Sequence, residues 1–317
     1  MLNTLVFSLN AVAPLAVLMA LGVFLRYRKI LSEAFFLSAN KLSFSILLPV
    51  MLFCNIYDCR ESATEFDWRY VGIAMGCIVG AFILLMLIVP LVARDKTRIG
   101  VIIQGIFRSN FLVFGVPVVT NMFGESELWT TSMLLPFIIP TFNMLAVFAL
   151  TWYITPEHGI KRLRCALIEI LKNPLIIASI LSYAVILTRI TLPSALYKTL
   201  SNLKDVGTPL ALIALGGTLT FSSMRSNAKA LFGACIGKLV LMPALVLPIA
   251  LTFGYRGSTI GALLAMAGSP TAISSYVMAQ QCGNDGDLAG QVVVITTIGS
   301  VVTMFVWIFA LRACGVL

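Results

Sequence analysis

The sequence predicts an all-α integral membrane protein with ten transmembrane helices in two inverted five-helix repeats, helices four and nine being broken by proline. Three observations predict this: a scarcity of charge, long uninterrupted apolar runs, and prolines that recur in matching order in the two halves. Only 11% of the 317 residues are charged, 59% are hydrophobic, and the mean hydropathy is +0.99. A soluble domain carries about 25% charged residues. A helix of about 20 apolar residues crosses the hydrocarbon core. A lipid-embedded barrel would instead alternate apolar and polar residues over short segments. The long, continuous runs here select helices.

Apolar stretches fall at 5–25, 34–57, 69–93, 99–122, 128–154, 174–190, 196–222, 229–254, 257–280 and 288–312. The sixth is short, and Gly and Pro interrupt the fourth and ninth. No basic segment precedes the first run and no cleavage site follows it, so it reads as a retained span. Orientation follows from loop Lys and Arg. Arg26, Arg28 and Lys29, then Arg94, Lys96 and Arg98, then Lys161, Arg162, Arg164 and Lys172, then Arg225 and Lys229 place twelve basic residues on one side. The other side holds seven: Arg60, Arg69, Arg189, Lys198, Lys204, Arg256 and Arg312. The richer side is therefore expected to be cytoplasmic, with both termini outside a cell (inner) membrane. The ninth connection, with Asp285 and Asp287, gives that orientation no support.

The net charge of +9 resides in short connections and not in a basic stripe interleaved with aromatics, which argues against nucleic acid as a partner. Seven cysteines are scattered without a C-x-x-C pair and read as packing residues, not as a disulfide framework or zinc site. No metal or other cofactor is expected.

The repeat is written in proline spacing. Pro14, Pro49, Pro90 and Pro117 correspond to Pro174, Pro209, Pro248 and Pro270, at offsets of 160, 160, 158 and 153. Residues 1–154 then form the first five-helix unit, 155–173 a cytoplasmic connection, and 174–317 the second unit. Five is odd, so the second unit inserts upside down relative to the first. Such inverted repeats build sites reachable alternately from either side of a membrane.

The fourth span contains Arg108-Ser109-Asn110 and Gly115-Val116-Pro117, and the ninth contains Gly268-Ser269-Pro270 and Ser274-Ser275. Proline removes a backbone donor and clashes with the preceding turn, so each helix is expected to break near mid-membrane. Freed backbone groups are tolerated in lipid only where they are buried or line a cavity. Half-helix N-termini offer free N–H groups and partial positive charge, which suits an anion. The candidate binding residues are Asn110, Gly115, Val116, Pro117, Ser269, Pro270, Ser274, Ser275 and Arg108. A serine hydroxyl can also be spent on its own helix backbone.

The Asn110…Gly115-Val116-Pro117 pattern, Asn40-Lys41 with Pro49, and Pro270 resemble the auxin efflux carrier family, which includes bacterial malate and malonate permeases. The resemblance runs over essentially the whole chain and is most specific in the fourth span. It implies crossed, broken fourth and ninth helices. It also implies a scaffold of spans 1, 2, 6 and 7, a route to a homodimer, beside a transport unit of spans 3–5 and 8–10. The asparagine seven residues before the fourth-span proline binds the substrate carboxylate in plant members, and Asn110 holds that position. The short 155–173 connection lacks the long hydrophilic loop of the plant carriers, which points to a compact bacterial-type member and away from auxin as substrate.

Charges inside spans are costly and face a cavity or a partner. Arg108 lies nine residues into its span, or about 14 Å at 1.5 Å per residue. Its two readings are attraction of an anion and a structural ion pair. Lys41 sits nearer the cytoplasmic edge and is expected to snorkel. Lys238, as deep as Arg108, is expected to be paired. Asp205 is the one acid expected within a span, as an ion-pair partner for these bases or a proton acceptor. Gly72, Gly76 and Gly80, and Gly233 and Gly237, are expected at close helix contacts.

The expected function is a secondary transporter of small organic carboxylate anions, with the lipid bilayer as its environment. An anion channel or a carrier of another weak-acid class is the alternative. An intramembrane enzyme fits poorly: the sole histidine, His158, lies in a connection, and mid-span aspartates are too few for an aspartyl dyad. Coupling to Na⁺ or H⁺ stays open.

Overall fold

The computed structural model describes residues 2–58, 67–154, 174–218 and 227–317. The 155–173 connection with His158, Lys161, Arg162, Arg164 and Lys172 lies outside the described residues, as do Arg60 and Arg225. Before residue 155 the chain contains α1 (Leu2–Tyr27), α2 (Glu33–Leu42), α3 (Leu48–Asp58), α4 (Trp68–Val92), α5 (Lys96–Phe107), α6 (Val116–Phe123) and α7 (Leu128–Trp152). From residue 174 onward it contains α8 (Pro174–Leu187), α9 (Ser194–Thr218), α10 (Ala228–Ile236), α11 (Met242–Thr252), α12 (Ser258–Gly268), α13 (Ser274–Gln281) and α14 (Gly286–Ala313). No strand occurs among the described residues, and one isolated antiparallel bridge joins Ser109 to Thr271.

Among the described residues, five continuous segments are long and apolar enough to cross a membrane: Glu33–Asp58, Trp68–Val92, Glu125–Trp152, Ala228–Thr252 and Gly286–Ala313. Ala13–Tyr27, Phe111–Phe123 and Ser258–Gly268 are shorter apolar stretches. Polar caps start several helices. Ser32, Asp67, Asp95 and Asp285 accept from the backbone N–H of Phe35, Tyr70, Thr97 and Leu288, satisfying first-turn donors that have no partner within the helix.

Two ends of the molecule are recognisable from their polar contacts. At one end Arg98 pairs with Asp285 at 3.0 Å, and Asn284 donates to the Leu150 carbonyl at 3.0 Å. At the other, Tyr255 donates to Asp67 at 2.9 Å, Ser258 to Glu127 at 2.7 Å, and the Arg312 guanidinium lies over the Phe7 ring.

Proline acts here differently from the expectation. Pro49, Pro117 and Pro243 each follow a wide helical turn, at Ser43–Leu47, Phe111–Gly115 and Gly237–Leu241. A proline ring clashes with the carbonyl four residues earlier, and that carbonyl falls inside the wide turn each time. The extra residue in the turn relieves the clash, and the helix continues. Pro117 therefore lies within a continuing helix, and the fourth-span break falls at residues 108–110. Pro270 does lie in the ninth-span break, between Gly268 and Ser274. The bridged residues Ser109 and Thr271 are 162 apart, close to the offsets of the first three proline pairs, whereas Pro117 and Pro270 mark non-equivalent points.

Glycine packing also differs. A Cβ at Gly72, Gly76, Gly80 or Gly233 would meet nothing within 4 Å, while one at Gly237 would meet Ile106 at 2.9 Å. Tight backbone approach occurs instead between α1 and α9, where Gly22 abuts the Ile213 carbonyl and Gly216 the Met19 carbonyl, and between α5 and α7, where Gly100 abuts the Ala149 carbonyl. Gly217 of α9 abuts the Phe36 ring of α2. Asp205 is a further correction. It is exposed on α9 and forms no ion pair with Arg108, Lys41 or Lys238 among the described residues. The acid engaged on that face is Asp58, which takes Lys204 at 3.4 Å and the Tyr197 hydroxyl at 2.5 Å.

Gly216→Ala forces a methyl group against backbone and is expected to cost about 1–3 kcal/mol of stability as overpacking. Gly76→Ala adds a methyl group in open space and is expected to leave stability unchanged or slightly raised. Thermal unfolding of the two purified variants in detergent checks this, and equal losses would contradict it.

Candidate functional site

The two broken helices meet at their breaks. Arg108, Ser109 and Asn110 leave helical geometry after α5, with Arg108 at φ −81° and ψ 121°. Ser269, at φ −60° and ψ 150°, does so after α12. The extended pieces cross antiparallel, and the Asn110 N–H donates to the Pro270 carbonyl at 2.7 Å. Side chains take up other freed groups. Thr271 Oγ1 donates to the Gly105 carbonyl at 2.6 Å, and the Thr271 N–H donates to Thr296 Oγ1 at 3.1 Å. Gln104 Nε2 donates to the Ser275 carbonyl at 3.0 Å. Buried backbone groups without partners would be costly in an apolar interior, so these bonds are what permit two helix breaks to be buried together.

A cavity of about 1130 Å³ adjoins the crossover, and Arg108, Ser109, Asn110 and residues 272–274 are among its lining residues. Glu33, Gly286 and Asp287 line it near the end that holds the Arg98–Asp285 pair. Towards the opposite end the half-helices α6 and α12 pack tightly: a Cβ at Gly261 of α12 would meet Met122 Cε at 3.0 Å and the Phe123 ring more closely still. Phe123 also stacks edge-on with Phe7. The cavity is therefore open towards one end and shut off from the other at the crossover.

Arg108 is the central charge. It is 4% exposed, yet no carboxylate pairs with it among the described residues. Its guanidinium donates to Asn143 Oδ1 at 2.6 Å, Ser274 Oγ at 2.8 Å, Met278 Sδ at 2.8 Å and Ser275 Oγ at 3.4 Å. All four acceptors are neutral, so the positive charge is hydrogen-bonded but not neutralised. Withdrawing an ion from water costs several kcal/mol, and an anion arriving from the cavity would offset part of that cost.

Two further features suit an anion. Asn110 is buried, lines the cavity, and its Nδ2 has no partner among the described residues. Its carbonyl receives the first helical bonds, from the N–H groups of Phe114 and Gly115, so the N–H groups of residues 111–113 form the free first turn of a helix. At the facing break α13 begins at Ser274 beside the guanidinium, and its dipole presents its positive end there.

The structure gathers Arg108, Asn110 and Ser274 at the cavity, with Ser275 at the guanidinium. Gly115, Val116, Pro117, Ser269 and Pro270 do not line the cavity. The Ser269 hydroxyl donates to the Ala265 carbonyl one turn back at 2.5 Å, and Gly115 is a packing contact against Ser269 and Phe111. Pro270 contributes its carbonyl to the crossing. Lys41 is exposed and lines the cavity. Lys238 is fully buried off the cavity and bonded to Ser109 Oγ and, at 3.0 Å, to the Ala267 carbonyl.

Asn143 was not among the expected site residues. Its signal was a lone amide in the apolar run Pro140-Thr141-Phe142-Asn143-Met144-Leu145, a polar group in a span that requires a partner. Hydrogen bonds to charged groups contribute about 1.5–3 kcal/mol. A double-mutant cycle with Asn143→Leu and Arg108→Met is expected to return a coupling free energy in that range in thermal unfolding. Additive losses would remove Asn143 from the support of the guanidinium.

The sequence model of a family described as "Membrane transport protein" matches residues 7–308. The chain is 24% identical over 315 residues to the Escherichia coli K12 protein named "Uncharacterized transporter YfdV", covering 97% of this chain and 99% of that one. An "Uncharacterized transporter" of Methanothermobacter thermautotrophicus is 24% identical over 303 residues, covering 95% and 97%. A Rhizobium meliloti protein named "Putative malonate transporter" is 27% identical over 142 residues, 44% of each chain.

Proposed function

Because the chain belongs to the membrane transport protein family, whose members act on solutes within a bilayer, we propose that it is a secondary transporter of small organic carboxylate anions. The observation that carries the reading is the buried Arg108 guanidinium with only neutral partners, at a cavity that also receives the unspent Asn110 amide. A carboxylate would accept from Asn110 Nδ2 and the first-turn N–H groups of residues 111–113, with Arg108 supplying the balancing charge. A cation carrier would need acids at the same place, and the acids lining the cavity, Glu33 and Asp287, flank its open end. The malonate named for the Rhizobium meliloti relative gives the first substrate to test.

In this reading the chain crosses the bilayer ten times. α2–α3, α4, α7, α10–α11 and α14 are joined by α1, α8, α9 and the two broken spans α5–α6 and α12–α13. The halves are inverted repeats, with both termini outside a cell membrane and the cavity mouth cytoplasmic. α1, α2–α3, α8 and α9 form the scaffold, while α4–α7 and α10–α14 form the unit that moves against it to close the mouth and part the outer half-helices. The scaffold forms a homodimer. Lys198, Asn202, Asp205 and Pro209 lie along an exposed face of α9, and a charged face of this kind is covered more cheaply by protein than by lipid.

The test is uptake of labelled malonate and malate into proteoliposomes, with counterflow against unlabelled acid. Saturable uptake and counterflow are expected. Asn110→Ala loses one hydrogen bond to a charged ligand, worth about 1.5–3 kcal/mol, so its apparent affinity is expected to fall about 10–100-fold at about 1.4 kcal/mol per decade. Arg108→Gln is expected to abolish uptake. Non-saturating flux without counterflow would replace the carrier with a channel, and full activity in Asn110→Ala would remove that residue from the site.

A further inference from the structure

Lys238 is the second buried cation at the crossover, and anion binding does not use it. It is 0% exposed, and neither it nor Ala267 lines the cavity. It projects from the wide turn Gly237–Leu241, held against α5 by Gly237 on Ile106 and against α14 by Leu239 on Gly299. Its ammonium donates to Ser109 Oγ and to the Ala267 carbonyl. Ala267 is in the last turn of α12, and Ser109 follows the last turn of α5. The C-terminal ends of two half-helices thus converge on one ammonium, which no carboxylate neutralises among the described residues.

Helix C-termini carry partial negative charge and carbonyls without intrahelical partners. In transporters with broken helices, half-helix C-terminal ends and unwound carbonyls are the groups that coordinate a coupling cation. Here a hydroxyl and a carbonyl of that kind face inward on the crossover, and a side chain from a third helix fills the space between them. The ammonium supplies the same charge as Na⁺, is delivered on a stem anchored by packing, and cannot leave.

We propose that Lys238 is a tethered stand-in for a coupling cation. It holds the crossover together with its own ammonium, so the protein works without Na⁺, and shortening the side chain uncovers a site that free Na⁺ can occupy. Lys238 acts as a positioning residue: it touches no substrate and acts through Ser109, the neighbour of Asn110.

The experiment is thermal unfolding of the purified full chain in detergent, in NaCl, KCl or choline chloride at equal ionic strength, for wild type, Lys238→Ala and Lys238→Met. No substrate is needed, so the result stands apart from the identity of the transported anion. Wild type is expected to unfold at the same temperature in all three salts. Lys238→Ala is expected to unfold several degrees lower in choline and to regain stability with Na⁺. Lys238→Met, whose stem still fills the space, is expected to lose stability without a Na⁺ response. A Lys238→Ala protein recovered in folded form only when Na⁺ is present supports the proposal equally. Na⁺ stabilisation of wild type would overturn it. So would a Lys238→Ala protein that is indifferent to Na⁺, whether folded or failing to fold in every salt.

Discussion

Everything at the centre of this protein depends on one antiparallel backbone contact, the crossing of residues 108–110 with 269–271. Two helices are interrupted inside the protein, where most of their freed polar groups are buried, an arrangement that persists only if those groups find each other. The Asn110 N–H to Pro270 carbonyl bond, at 2.7 Å, is the central one. The bonds of Thr271, Gln104 and Lys238 satisfy further groups around it. Once the crossing is made, two helix N-termini and two helix C-termini are fixed within one small volume. Positive ends and Arg108 are presented to the cavity, and negative ends are gathered on Lys238. The electrostatics of the site thus follow from its topology.

That separation explains how a chain with few intramembrane charges manages them. Arg108 and Lys238 are both buried and both lack an acid partner among the described residues. Arg108 is surrounded by side-chain acceptors, which a ligand can supplement. Lys238 is bound to a backbone carbonyl and a hydroxyl at helix ends, which leaves it no route to the cavity. The planar, many-donor guanidinium suits a shared site, while the compact ammonium suits a single closed one.

Much of this was legible in the sequence, because composition and run length alone identify membrane helices, and Gly and Pro with polar neighbours mark the two interrupted spans. Arg108, Asn110, Ser274 and Ser275 could be picked out because polar residues in apolar runs require partners. The exact place of the first break was not legible. Proline predicts a defect in hydrogen bonding, but a helix can absorb that defect by widening a turn, and Pro117 does so. Glycine stripes misled for a related reason, since small residues permit close approach without compelling it. The intimate contact formed instead through Gly22 and Gly216. Asn143 and the partners of Lys238 depend on which helices are neighbours, information that one strand of sequence does not carry.

The three wide turns also bear on how such chains can change length. Each holds one residue more than a regular α-helical turn, at Ser43–Leu47, Phe111–Gly115 and Gly237–Leu241, and that residue rotates everything downstream by about 100° relative to an unbroken helix of 3.6 residues per turn. The proline and the additional residue are therefore a linked pair. Loss of Pro243 alone would leave the turn free to tighten and swing Lys238 out of register with Ser109. Deletion of one residue alone would drive the ring into a carbonyl. In alignments of distant relatives, a gap of one position inside an apolar span, accompanied by absence of the proline after it, would mark the same helix in its regular form and not an error of alignment.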